Sequence, residues 1–311
     1  PAFKDYIWGG TRLRDEYGKK CDYDKVAESW ELSCHKDGPS VVADGEYKGL
    51  TLNEYIEKAG KGVLGKNCER FENFPILIKL IDAKDNLSVQ VHPDNDYAMR
   101  VEGEYGKTEM WYVVDCDEGA TLLYGFKHEI TKEEFARRIA DNTLLEVTNA
   151  VPVKKGDVFF IKSGTLHAIG KGILIAEIQQ NSNTTYRIYD YGRVGKDGKP
   201  RELHVDKALD VTKLAPAEQY PETPVEKKDG YDIKLLSKCE YFTTYRVNVE
   251  TKAELDADEN SFNSILVLEG EPVISGGETV SAKKGESVFI SAGTGKYTVE
   301  GKCTFVLTKI D

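Results

Sequence analysis

No stretch of this sequence approaches the roughly 18 consecutive apolar residues that a membrane-spanning helix needs, so no membrane span is expected. Nor does Pro1-Ala2-Phe3-Lys4 open a basic segment followed by an apolar core, so no signal peptide is expected. There is no run of Lys and Arg, and the net charge is −11. Phosphate backbones need basic patches, so nucleic acid is excluded as a partner. An acidic chain that takes an anionic small molecule must gather its local cations at the site. No two cysteines stand in C-x-x-C spacing. Cys21, Cys34, Cys68, Cys116, Cys239 and Cys303 are irregularly placed and read as reduced thiols of a cytoplasmic protein.

What is present is an ordinary globular composition, 40% hydrophobic and 31% charged. The 311 residues suggest about two domains of roughly 150 residues each. Residues 1–50 carry short β-type runs and Gly/Asp turn signals. Trp8-Gly9-Gly10 places a ring beside paired glycines, as where backbones approach closely. Thr51, with Glu54 three residues on, predicts a capped helix to Ala59. Phe74 to Ile81 is a near-continuous apolar run and reads as a buried strand. Further strands are expected over 87–92, 107–114, 154–161, 173–180 and 184–191. A helix is expected over Thr131–Glu146, with Phe135, Ile139 and Leu144 on its apolar side. Pro216, Pro221 and Pro224 mark a linker over 214–230. Strand patterns resume beyond it, so the chain is mainly β with a few helices.

An internal repeat divides the chain further. Lys154-Lys155-Gly156-Asp157 through Thr165 resembles Lys283-Lys284-Gly285-Glu286 through Thr294, at an offset of 129. A looser match sets Trp111–Asp115 against Ile265–Glu269 at an offset of 154. The first copy thus carries an insertion, close to the helix 131–146. At these offsets Lys296 stands for His167 and Asn263 for Glu109. The second copy is therefore expected to lack any metal site that the first possesses.

The first copy does have metal-site residues. Leu87-Ser88-Val89-Gln90-Val91-His92-Pro93 alternates with period two, placing Ser88, Gln90 and His92 on one strand face, and Pro93 ends the strand. Gly156-x5-Lys162-x-Gly164-x2-His167 resembles the second cupin motif, with Lys162 in place of proline. Gln90-x-His92, followed by Glu109, resembles the first. The resemblance implies two jelly-roll domains, with a metal held inside the first by Gln90, His92, Glu109 and His167. Two imidazoles, a carboxylate and an amide oxygen suit Zn²⁺; non-haem Fe²⁺ takes the same ligands. His35, His128 and His204 have no such company and read as surface or packing residues.

Longer motifs narrow the resemblance. Ser88–Pro93, Gly106–Tyr112, Ser163–Ala168 and Thr185–Tyr191, with Tyr6–Gly10 and Glu28–Glu31, look like type I mannose-6-phosphate isomerase in its short bacterial form. The resemblance covers nearly the whole chain and weakens after the linker. It implies a catalytic metal-binding cupin domain over 1–213, a linker over 214–230 and a metal-free cupin-like domain over 231–311. It implies one zinc per chain and interconversion of mannose 6-phosphate and fructose 6-phosphate through an enediol. Arg187 matches the family's catalytic arginine, and Lys107 and Glu177 match polar residues of its pocket. Ser88 and Arg193 fall where the family positions the sugar phosphate. If a hairpin turns about Lys171, Glu177 shares the face of His167 and could act as base. A metal-dependent cupin oxygenase and a non-catalytic sugar-binding cupin compete with this reading.

Overall fold

The computed structural model describes residues 1–195 and 198–311. The first part of the chain forms two facing antiparallel sheets. Its strands are β1 (Ala2–Lys4), β2 (Glu28–Leu32), β3 (Ile76–Ala83), β4 (Val89–Val91), β5 (Glu109–Cys116), β6 (Thr121–Phe126), β7 (Thr148–Pro152), β8 (Val158–Ile161), β9 (His167–Ala168), β10 (Ile173–Gln180) and β11 (Tyr186–Tyr189). One sheet has the order β1-β2-β3-β10-β5-β8, the other β11-β4-β9-β6-β7. Among its helices are α1 (Arg12–Asp15), α2 (Leu52–Ala59), α3 (Asn95–Val101), α4 (Lys132–Ala140) and α5 (Val205–Val211). The remainder repeats the plan with sheets of six and four strands. The chain is mainly β, with two cupin-like jelly rolls and a few helices.

The uninterrupted apolar character of β3 and β10 follows from covering both faces of one sheet. Ile76, Ile78 and Leu80 of β3, Met110, Tyr112 and Val114 of β5, and Leu174, Ala176 and Ile178 of β10 face the second jelly roll. There they join Leu236, Phe242, Leu266, Leu268 and Val306 in one buried cluster. The alternate residues Ile81, Val113, Ile173 and Ile175 pack with Trp111 and Ile169 inside the first barrel. Behind the second sheet, Val89, Val91, Leu166, Tyr186 and Ile188 pack against Phe135 of α4 and Ala208 of α5. That packing turns Gln90 and His92 inward.

Several sequence expectations take a more exact form. Thr51 and Glu54 make the reciprocal capping box of α2. Trp8 is buried, and a Cβ on Gly9 would stand 2.5 Å from the Ala27 side chain, so the close backbone approach is real. Helix α4 stops at Ala140 rather than Glu146. Asn142 takes φ 59°, a left-handed conformation that asparagine tolerates, and a separate 3-10 turn follows at Leu144–Glu146. Leu87 precedes the strand and packs with Ile81 and Ile173, not with Val89 and Val91. Within the segment read as a linker, Val225–Lys227 is already the edge strand of the second six-stranded sheet, pairing with Tyr231–Lys238. Leu214 and Glu218 accept hydrogen bonds from the Ile130 amide and the Tyr124 hydroxyl, so this crossing segment lies bound to the first barrel.

The hairpin about Lys171 does not form. Strand β9 pairs with β4 and β6, whereas β10 pairs with β3 and β5 in the opposing sheet. His167 and Glu177 therefore face one another from two sheets.

The second barrel aligns with the first through β-sheet register. Glu109 pairs with Ile161, and Asn263 with Ile290. Asn263 thus occupies the position of Glu109, as the repeat predicted. The position of His167 differs by one residue. Lys296 is exposed, and the residue turned inward is Tyr297, whose hydroxyl accepts a hydrogen bond from the Asn263 amide at 2.9 Å.

A buried lysine joins the two jelly rolls. Lys19 Nζ lies 2.6 Å from Glu31 Oε1 and donates to the carbonyl of Gly285, also at 2.6 Å. Removing one partner of a buried pair leaves the other charge uncompensated. Lys19→Ala is expected to cost about 3–5 kcal/mol of unfolding free energy, read by denaturant melts.

Candidate metal centre and active site

Cross-strand register assembles the site as two facing rows. In the six-stranded sheet Trp30, Lys79, Glu177, Trp111 and Phe159 are successive register partners from β2 to β8. One row along, Gln179 pairs with Glu109. In the opposing sheet the row is Arg187, Gln90, His167 and Tyr124. Directly opposed residues in antiparallel strands have Cβ atoms about 4.5–5.5 Å apart, so each row brings its neighbours together.

The metal-type donors converge between the rows. His92 Nδ1 donates to the Thr184 carbonyl at 2.9 Å, and His167 Nδ1 to the Thr165 carbonyl at 2.8 Å. These bonds fix the proton on Nδ1 and leave each Nε2 with a lone pair. The two Nε2 atoms face each other at 3.1 Å. Two lone pairs cannot hydrogen-bond one another. Glu109 stands 3.6 Å from His92 Nε2 and 3.4 Å from His167 Nε2; Lys107 reaches its Oε2, and its buried Oε1 has no hydrogen-bond partner. The ligand atoms of His92, Glu109 and His167 all lie within 4.8 Å of one another. The Gln90 amide group is 3.3 Å from His167 Nε2, and a half-turn of that amide presents its oxygen instead. This donor set fits a divalent cation. Burial above all keeps the imidazoles neutral, as ligation requires: His167 is pushed down to about 3 and His92 also falls well below the usual value.

Beside the donors lies a chain of buried charges. Lys107 Nζ is 2.6 Å from Glu109, 3.1 Å from His92 Nε2 and 3.9 Å from Glu177. Glu177 accepts the Trp111 indole N–H at 2.8 Å and lies 3.3 Å from Lys79. Lys79 also approaches Glu28, at 3.6 Å, and sits over the Trp30 ring. Burial and the nearby Glu177 push Glu109 up to about 7. Burial acts the same way on Glu177, but Lys107, Lys79 and the Trp111 N–H outweigh it and hold that carboxyl below its ordinary value.

At the rim, Arg187 Nη1 donates to the Glu202 carbonyl at 2.8 Å, and its buried Nε has no partner. Burial and the neighbouring Arg201 lower its pKa. Asp190, a possible carboxylate partner for Arg187, is engaged instead by Arg193 and by a two-pronged contact from Arg201 at 2.6 and 2.7 Å. Arg193 also reaches the Asn86 carbonyl, two residues before Ser88. Ser88 is buried beside Gln90, at 3.5 Å.

Every residue singled out in the sequence therefore lies in the barrel or at its mouth. Sequence reading missed Lys79, Glu28, Arg201 and His204. The first had a signal: a lysine at an inward position of a strand otherwise apolar on both faces must be paired. His204 was read as a surface or packing residue, yet its Nδ1 accepts the Arg187 amide. His35 does pack, edge-on to Trp30, and His128 is exposed.

A cupin barrel with an inward His/Glu/His group that can hold a metal ion, and with a cationic mouth, has the make-up of an enzyme site. Residues 1–119 match the family model "Phosphomannose isomerase type I, catalytic domain", and residues 232–310 match "Mannose-6-phosphate isomerase, cupin domain". The chain is 39% identical over 312 residues to the mannose-6-phosphate isomerase ManA of Bacillus subtilis, covering 100% of this chain and 97% of the relative. It is 40% identical over 291 residues to the mannose-6-phosphate isomerase of Streptococcus mutans, covering 91% and 88%. The crystal structure of the mannose 6-phosphate isomerase from Bacillus subtilis superposes with a TM-score of 0.92 at 38% identity, covering 98% of this chain and 96% of that one. The chain belongs to the type I mannose-6-phosphate isomerases, a family of aldose–ketose isomerases. That membership sets aside the oxygenase and non-catalytic readings. Among the described residues, no helix is long and apolar enough to cross a membrane.

The donor geometry leads to a measurable expectation. Elemental analysis should find one metal ion per chain, because Tyr297 and Asn263 fill the corresponding place in the second barrel. His167→Ala should lose that ion and the activity together.

Proposed function

We propose that the chain interconverts mannose 6-phosphate and fructose 6-phosphate through an enediol, with one zinc ion held by Gln90, His92, Glu109 and His167. The observation that carries this reading is the convergence of two neutral imidazoles and a buried Glu109, one of whose oxygens is free, beside a pocket lined with cations. Residues 1–213 form the catalytic unit, 214–230 cross to and enter the second unit at Val225–Lys227, and 231–311 make up the rest of that metal-free cupin-like unit. Held by these four residues, the ion would supply Lewis-acid polarisation of the sugar carbonyl.

The chain's own residues supply proton transfer and anion binding. Isomerisation moves a proton between C2 and C1 and shifts the carbonyl. Glu177 remains ionised beside two ammoniums that approach its Oε1 at 3.3 and 3.9 Å, contacts loose enough to leave that oxygen a lone pair to accept and return the proton. Lys107 can protonate the carbonyl oxygen as negative charge grows there. Lys79 keeps Glu177 ionised and oriented. Arg187 faces the reacting sugar from the opposite sheet. Ser88, Arg193 and Arg201 receive the phosphate at the mouth.

A coupled assay with mannose 6-phosphate tests the reading directly. Free mannose should show a far lower kcat/KM, because contacts to the remote phosphate assist reaction at C1 and C2. Equal values for the two sugars would remove Ser88, Arg193 and Arg201 from phosphate binding.

Arg187 gives a second test. Loss of a group that meets developing charge costs roughly 2.7–4 kcal/mol, as for one oxyanion-hole donor. Arg187→Ala should lower kcat by on the order of 10²–10³-fold with metal content and Tm little changed. Arg187→Lys should restore only part, since an ammonium lacks the planar fork.

A further inference from the structure

Strand β11 is the edge of its sheet, and at Arg187 that edge is closed by one residue. The Arg187 amide donates to His204 Nδ1 at 3.2 Å, and the Arg187 carbonyl accepts from the His204 amide at 2.7 Å. The guanidinium donates to the Glu202 carbonyl, two residues earlier. Three hydrogen bonds from Arg187 thus run to the segment 202–204, while its other side is paired with Gln90 of β4. An imidazole here substitutes for the carbonyl that a neighbouring strand would have offered.

We propose that His204 is a positioning residue for Arg187: its unprotonated Nδ1 completes the open edge of β11 and aims the guanidinium, so protonation of that imidazole releases it. This rests on the role assigned to Arg187 in sugar isomerisation. An N–H donor requires a lone pair at Nδ1. A protonated ring would set donor against donor and place a second cation beside Arg187. The surroundings favour the working form. Burial lowers the His204 pKa; Glu202 from its own loop and Glu102 beside α3 raise it, and Arg187 from β11 and Lys207 from α5 lower it. The net direction is down, so the acceptor is present at neutral pH and is lost as pH falls through that lowered value. The hydrogen bonds, ion pair and ring contact of the His204 imidazole go to Arg187, Glu202 and Tyr186, none of them a candidate metal ligand.

The test compares wild type, His204→Leu and His204→Asn. Asparagine places an amide oxygen near the position of Nδ1 and cannot gain a proton. At pH 8 and saturating mannose 6-phosphate, His204→Leu should lower kcat by on the order of 10²-fold, the size expected of a small misplacement, with KM and metal content little changed. His204→Asn should recover most of that loss. Below neutral pH, wild type should lose kcat while His204→Asn loses less; ionisation of the substrate phosphate is common to all three proteins. A wild-type kcat in His204→Leu, or an unaltered acid limb in His204→Asn, overturns the proposal. A second readout needs no turnover. The NMR signal of the Arg187 amide proton should shift with pH in wild type, following the imidazole, and should not shift in His204→Asn. An amide signal insensitive to pH in wild type overturns the proposal as well. Wild type that leaves mannose 6-phosphate unchanged would instead defeat the functional reading, and the amide titration would still decide the contact.

Discussion

The structure depends on keeping three carboxylates and two ammoniums inside an apolar barrel. Glu28, Lys79, Glu177, Lys107 and Glu109 alternate in sign and contact one another in that order. Each charge alone would be far too costly to bury. Fully ionised, they neutralise each other except for one excess negative charge; the chain ends at Glu109, where two imidazole lone pairs also point. A dication held there would turn that excess from minus one to plus one. The interior would then suit an anionic substrate, and the overall charge of −11 would be no obstacle to binding one.

This arrangement explains why β3, β5 and β10 are packed from both sides. Their inward residues carry charges whose relative positions must hold to fractions of an ångström. Their outward residues form a single apolar cluster with the second jelly roll. A sheet with one wet face could flex; here the reverse face of the catalytic row is clamped by Leu236, Phe242, Leu266 and Val306. The Lys19 contact with Gly285 pins the same interface with a charge. The second unit therefore contributes to the site through rigidity, without supplying a group to it.

Much of this was legible in the sequence because it depends on local periodicity. Alternation around Gln90 and His92, the capping box at Thr51 and the doubly apolar runs of β3 and β10 are all set by near neighbours. The metal-type residues were legible because their spacing follows the pleat. Residues acting through non-local pairing were harder to see. Lys79 acquires meaning only when β2 and β10 bring Glu28 and Glu177 to either side of it. Glu177 and His167 lie close in sequence, and a short turn between them suggested a hairpin. The chain instead crosses from one sheet to the other there, a choice made by the pairing of β9 with β6 and of β10 with β3. His204 carries no motif at all. Its role arises because β11 has no strand beyond it.

The repeat illustrates how a sheet can keep its register yet lose its chemistry. Asn263 pairs with Ile290 as Glu109 does with Ile161, so the backbone frame survives in the second barrel. The inward position opposite has shifted from the residue equivalent to His167 to its successor, Tyr297. Because side chains alternate with period two, a shift of one residue changes which face each occupies. Lys296, the aligned residue, therefore lies in solvent, and changing it to histidine would put an imidazole outside the barrel. Inside, a phenol ring fills the volume, and its hydroxyl is satisfied by Asn263. No unpaired lone pair or excess charge is left there to attract a cation. In the first barrel the free Oε1 of Glu109 and the two imidazole lone pairs are what a metal ion could take up. In the second those free donors have been removed by both register and packing, so restoring a ligand residue alone could not rebuild the site.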